Sequence, residues 1–162
     1  YLSEEEGQRA VAPRLGTAAE DDPDAWVGTE GVERIALATG ATQFELLSRS
    51  TERDARALRA AGFDGELVLY APTVLSDDED TILDAVGAYV SRRAPVRRAL
   101  PDDCETDSSA TGRAREVLLA ASKDFAIVGD EEAIRGRVEG LHGVGVDTVV
   151  GYPARGLAEL LD

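Results

Sequence analysis

The chain has 162 residues, with 32 acidic against 17 basic side chains and a net charge of −15. That length supports one domain with a single core, and so negative a surface argues against nucleic acid or an anionic membrane as partner. One cysteine, Cys104, and one histidine, His142, exclude an internal disulfide and a cysteine-based zinc cluster, and leave only His142 for a triad or histidine metal site.

The helix expected first starts at Ser3, with acidic residues in its first turn and Pro13 as its limit. Ala25 to Val27 reads as a strand running into the turn at Gly28, with Trp26 as a core residue. The run 32–40, "VERIALATG", fits strand or helix; its Ala and Leu content and the Gly40 stop favour helix. Residues 43–49 read as a strand, Thr51 as the N-cap of a helix ending at Gly62, and 66–73 as a strand apolar at consecutive positions, as a strand buried on both faces requires.

Ser76 opens a helix with Ile82, Leu83, Val86 and Val90 on one face, acidic residues at its start and arginines at its end. Residues 94–109 read as a polar surface linker, followed by a helix with Val117, Leu118 and Ala121 inward. "FAIVG" and "DTVVGYP" are two further strands, each feeding a helix, with Asp130 as an N-cap and His142 at the end of a surface helix. The alternation indicates an α/β fold with a parallel sheet. Four or five strand–helix units suit the C-terminal part of a (β/α)8 TIM-type barrel.

The acidic residues recur along the whole chain, and Lys123 is the only lysine beside 16 arginines. This composition resembles cytosolic proteins of salt-adapted, halophilic archaea, whose high salt screens an acidic surface. No apolar run approaches the ~18 residues of a membrane span. The expected compartment is the cytoplasm. A chain beginning at Tyr1 without methionine is expected to continue upstream, so the partners expected are a missing N-terminal half or a second copy in a homo-oligomer, besides a small-molecule cofactor or substrate.

"DAWVGTEGVERIALATGATQFELLS" and the C-terminal "KDFAIVGDEEAIRGRVEGLHGVGVDTVVGYPARGLAELL" together resemble the C-terminal half of the luciferase-like monooxygenase family, in particular its archaeal deazaflavin-dependent members. The resemblance implies a barrel binding FMN or a deazaflavin coenzyme at the carboxyl ends of its strands and working as a hydride-transferring oxidoreductase. It assigns the phosphate turn to Gly28, Thr29 and Gly31, and places Gly129, Tyr152 and Arg155 on the same cofactor rim. As residues, Gly28 and Gly31 fit a plain tight turn as well as a phosphate contact, Arg155 a surface ion pair, and Tyr70 and Tyr152 a filled barrel mouth. Glu30 and Val32 in the turn, and Gly-Asp-Glu at 129–131, depart from the family pattern. They motivate the alternative of a barrel without cofactor that serves as a non-catalytic binding or structural protein.

Overall fold

The computed structural model describes residues 17, 20–24, 26–28, 40–156 and 158. The helix expected from Ser3, Thr29, Gly31 and the run 32–39 lie outside the described residues. One sheet holds five strands: β1 (Val27–Gly28), β2 (Gln43–Leu46), β3 (Leu67–Leu75), β4 (Ile127–Gly129) and β5 (Thr148–Pro153). All pairings between these strands are parallel.

The long β3 organises the sheet. Its Val68, Leu69 and Tyr70 lie between Phe44, Glu45 and Leu46 of β2 on one edge and Thr148, Val149 and Val150 of β5 on the other. Thr73 likewise lies between Ile127 and Pro153, so β4 continues along the edge of β3 that β2 begins. The described strands therefore occupy four positions of a parallel α/β sheet. β4, three residues long, does not separate β3 from β5.

Helices α1 (Thr51–Ala60), α2 (Glu79–Ile82), α3 (Ala88–Ser91), α4 (Ala94–Ala99), α5 (Gly112–Phe125) and α6 (Glu131–Gly143) link the strands. A π-helical segment, Leu83–Gly87, joins α2 to α3. Side chains alternate between the faces of a strand. Leu67, Leu69 and Ala71 of β3 and Ile127 of β4 point to one face, where they pack with Ala55 and Leu58 of α1 and Leu141 of α6. Each fully buried leucine there contributes roughly 2 kcal/mol. Val74 and Val128, of the opposite parity, pack instead with Ile82, Val86 and Ala126. The 79–125 block thus covers the carboxyl end of the second face.

The arginine-rich end of α1 is locked by one side chain. Arg59 donates from Nη1 to the carbonyls of Phe63 (2.9 Å) and Gly65 (2.7 Å), and from Nε and Nη2 to that of Gly145. Its Nη2 also reaches Asp147, whose Oδ2 accepts the Leu67 amide. One fork therefore ties the turn before β3 to the turn before β5.

Several expectations shift at this level. The N-cap of α1 is Ser50, and Thr51 is its first helical residue, its hydroxyl accepting from the Ser48 amide at 2.8 Å. Asp78 rather than Ser76 caps α2, because Asp78 Oδ1 accepts from the Thr81 amide at 2.8 Å. The stretch 94–109 contains α4, buries Val96 and holds Cys104 against a further core cluster of Leu83, Val90, Val96, Leu118 and Phe125. Trp26 is not core: it is 53% exposed.

Candidate functional site

The amino-terminal half of the second sheet face carries one aromatic ring per strand position. Trp26, just before β1, stacks on Phe44 of β2 with centroids 5.7 Å apart and planes at 25°. Phe44 lies 5.9 Å from Tyr70 of β3, which lies 6.1 Å from Tyr152 of β5. The row has wet ends, since Trp26 is 53% and Tyr152 52% exposed. It climbs diagonally: Phe44 is level with Val68, while Tyr152 is level with Pro72. Leu46, Val68 and Val150 share this face by register.

The row's titratable groups are phenols. Tyr70 is pushed above the usual tyrosine range, chiefly by burial and further by the neighbouring Tyr152 and Tyr89 hydroxyls. It therefore stays protonated at neutral pH and offers a hydroxyl donor, not a base.

The residues expected on a common rim separate into different levels. Gly28 ends β1 level with Phe44 and Val68, Tyr152 sits level with Pro72, and Gly129 ends β4 level with Leu75. The first level, at Val68, and the last, at Leu75, stand about 23 Å apart along the strand direction. Gly28 thus lies beside the aromatic row and Tyr152 ends it, whereas Gly129 stands beyond it. Arg155 is exposed just after β5. Thr29 and Gly31 lie outside the described residues.

At Gly129 the geometry explains the glycine without a ligand. Its φ is 139°, and an added Cβ would stand 2.7 Å from the Ala133 Cβ. The strand must turn in a left-handed conformation and pass close to the first turn of α6. Asp130 caps that helix, its Oδ1 accepting from the Ala133 amide at 2.8 Å, and Glu131 and Glu132 follow. Three consecutive carboxylates at this helix start repel an added phosphate.

His142 ends α6 with its Nδ1 2.9 Å from the Val146 carbonyl, a turn-closing hydrogen bond. Among the described residues no group of three or more His, Cys, Asp or Glu side chains is placed to hold a metal ion. No described helix is long and apolar enough to cross a membrane.

Residues 1–160 match the model of a family of unknown function, DUF7388. The chain belongs to the DUF7388 family. No curated protein matches it. Two features of this DUF7388 member have only a faint trace in its sequence. The aromatic row left a trace, since four of the chain's eight aromatic residues fall at one parity of four strands. The other feature is a cation-rich edge at the end of β2. Its trace is the run of arginines at 49, 53 and 56, of which Arg53 and Arg56, three apart, share one face of α1 and Arg49 lies in the turn before it.

Proposed function

We propose that this DUF7388 domain binds a planar aromatic molecule against the aromatic row of its sheet, and that FMN or a deazaflavin coenzyme is the ligand of that class it serves. The observation carrying the reading is the continuous aromatic row with exposed ends at Trp26 and Tyr152. Offset stacking between rings favours a flat polycyclic guest over an aliphatic one. Such a coenzyme would supply hydride transfer when bound. The chain's own residues would orient it: Trp26 and Phe44 by stacking, Tyr152 at the other end, and the Tyr70 hydroxyl as a donor held protonated. Gly129 does not belong to this site, because the Asp130 carboxylate already occupies the first turn of α6.

On this reading the sheet is part of a (β/α)8 ring. The positions β1, β2, β3 and β5 follow chain order across the sheet. Closing a ring takes further strands from more of the polypeptide or a second copy. Packing of the 79–125 block on the aromatic side favours a second reading, an open sheet covered on both faces that binds without catalysing. The row, whose titratable groups are two phenols, also suits such a cofactor-free binding protein.

Trp26 is the only tryptophan, so its fluorescence reports on the face directly. Titration with FMN in molar KCl is expected to quench it saturably, and Tyr152→Ala to weaken the half-saturation point several-fold. FMN that neither quenches Trp26 nor gives a calorimetric response removes the coenzyme reading. Quenching without any reductase turnover leaves the non-catalytic binder.

A further inference from the structure

The carboxyl end of β2 collects positive charge on a protein that is otherwise strongly negative. Two depressions meet there at Ser48. One, of about 370 Å³, has apolar walls from Leu46, Leu47, Pro95 and Phe125 and polar groups from Ser50 and Arg92. Arg93 and two carboxylates, Glu45 and Asp54, complete its polar lining. The other, of about 550 Å³, is lined by Arg49, Arg53, Arg56, Lys123 and Arg137 against Glu52 and Asp124. Together they hold seven of the 17 basic residues but four of the 32 acidic ones.

The internal pairing does not exhaust these cations. Glu52 is shared between Arg56 (3.4 Å) and Arg137, Asp124 meets Arg49 at 2.8 Å, and Asp54 meets Arg53 at 2.9 Å. The side chains of Arg92 and Lys123, both exposed, make no ion pair or hydrogen bond among the described residues. Arg93 is held inside, its guanidinium 4.6 Å over the Tyr89 ring and its Nη2 on the Tyr89 hydroxyl. Ser48 and Ser50 present hydroxyls 3.2 Å apart between the two depressions.

We propose that this edge binds a small phosphorylated organic molecule, with its apolar body in the smaller cleft and its phosphate at Ser48 between Arg92 and the basic depression. Guanidinium forks and hydroxyls match phosphate oxygens directly. The smaller cleft lies within the size range of small-molecule sites. The assignment does not depend on what the aromatic row holds.

Calorimetric titration of the whole chain with inorganic pyrophosphate, at fixed KCl, tests it. Saturable binding is expected, weakened at least tenfold by Lys123→Glu and by Arg92→Glu. Arg113→Glu, at the opposite end of α5, is expected to leave it unchanged, and melting curves verify that all three variants fold. Trp26 fluorescence should not respond to pyrophosphate. The assignment is overturned by absent binding, by equal weakening in all three variants, or by Trp26 quenching that persists when Lys123 and Arg92 are reversed.

Discussion

Gly87 offers a sharp test of how the 79–125 block is packed. It ends the π-helical segment, and a Cβ built on it would stand 2.1 Å from the Thr106 carbonyl oxygen and 3.1 Å from the carbonyl carbon. A methyl needs about 3.2 Å from that oxygen, so one backbone must retreat by roughly 1 Å. The loop has little room to do so, because Ser108 donates its amide to Asp84 Oδ1 at 2.9 Å, one turn earlier on the same helical run. Overpacking of this kind costs about 1–3 kcal/mol, and the obstacle here is backbone, so the upper end applies. The gain in helix propensity from Gly to Ala returns about 1 kcal/mol. Gly87→Ala should therefore destabilise the protein by about 2 kcal/mol. Gly136→Ala is the matched control, since Gly136 lies within α6 with nothing within 4 Å of its added Cβ. It should stabilise by about 1 kcal/mol. The two variants add the same methyl to helical glycines and should melt about 6–12 °C apart. Thermal unfolding followed by circular dichroism, at one salt concentration, reads this directly. A Gly87→Ala protein that melts at or above the wild-type temperature refutes the close approach of the 106–107 loop.

Two further outcomes follow from the hydrogen-bond network. Arg59→Ala strips three backbone carbonyls of their donor and unties the turns before β3 and β5. It should cost about 2–3 kcal/mol in denaturant titration, with Arg59→Lys recovering less than half because an ammonium cannot reproduce the fork; full recovery by lysine would contradict the geometry. On the acid side, Asp78 and Asp107 sit below their ordinary 3.8, Asp78 through the Thr81 hydroxyl and then its amide, Asp107 through the Ser109 hydroxyl and then its amide. A depressed carboxylate stabilises above the unfolded value and loses that contribution as pH falls through the folded one. Stability should therefore decline below about pH 4, and Asp78→Asn should make that decline shallower; an unchanged acid limb counts against the Thr81 interaction.

Much of the fold could be read along the chain because its signals are local. β3 shows as a consecutive apolar run, the helical stretch from α2 through the π-helical segment to α3 shows its buried stripe of Ile82, Leu83, Val86 and Val90, and Asp130 marks the start of α6. Each rests on a periodicity or cap within a few residues. Caps misread by one or two positions, as at Ser50 and Asp78, reflect runs of Ser, Thr and Asp in which each neighbour is a competent cap.

What the candidate sites depend on is the register between strands. A single aromatic in each strand reads as core, and it did so at Trp26; only the alignment of Gly28 with Phe44 and of Pro72 with Tyr152 turns four separate rings into one row. The cation-rich edge arises in the same way, from Arg49, Lys123 and Arg137 brought together across more than 80 residues. Alternation along one strand fixes which residues share a face, whereas pairing and helix placement decide which faces meet and which remain open. The sequence by itself thus determined a parallel α/β protein with an acidic surface. Tertiary structure alone decided where that surface becomes aromatic or positive, because such patches are assembled from residues whose sequence separation carries no local signal.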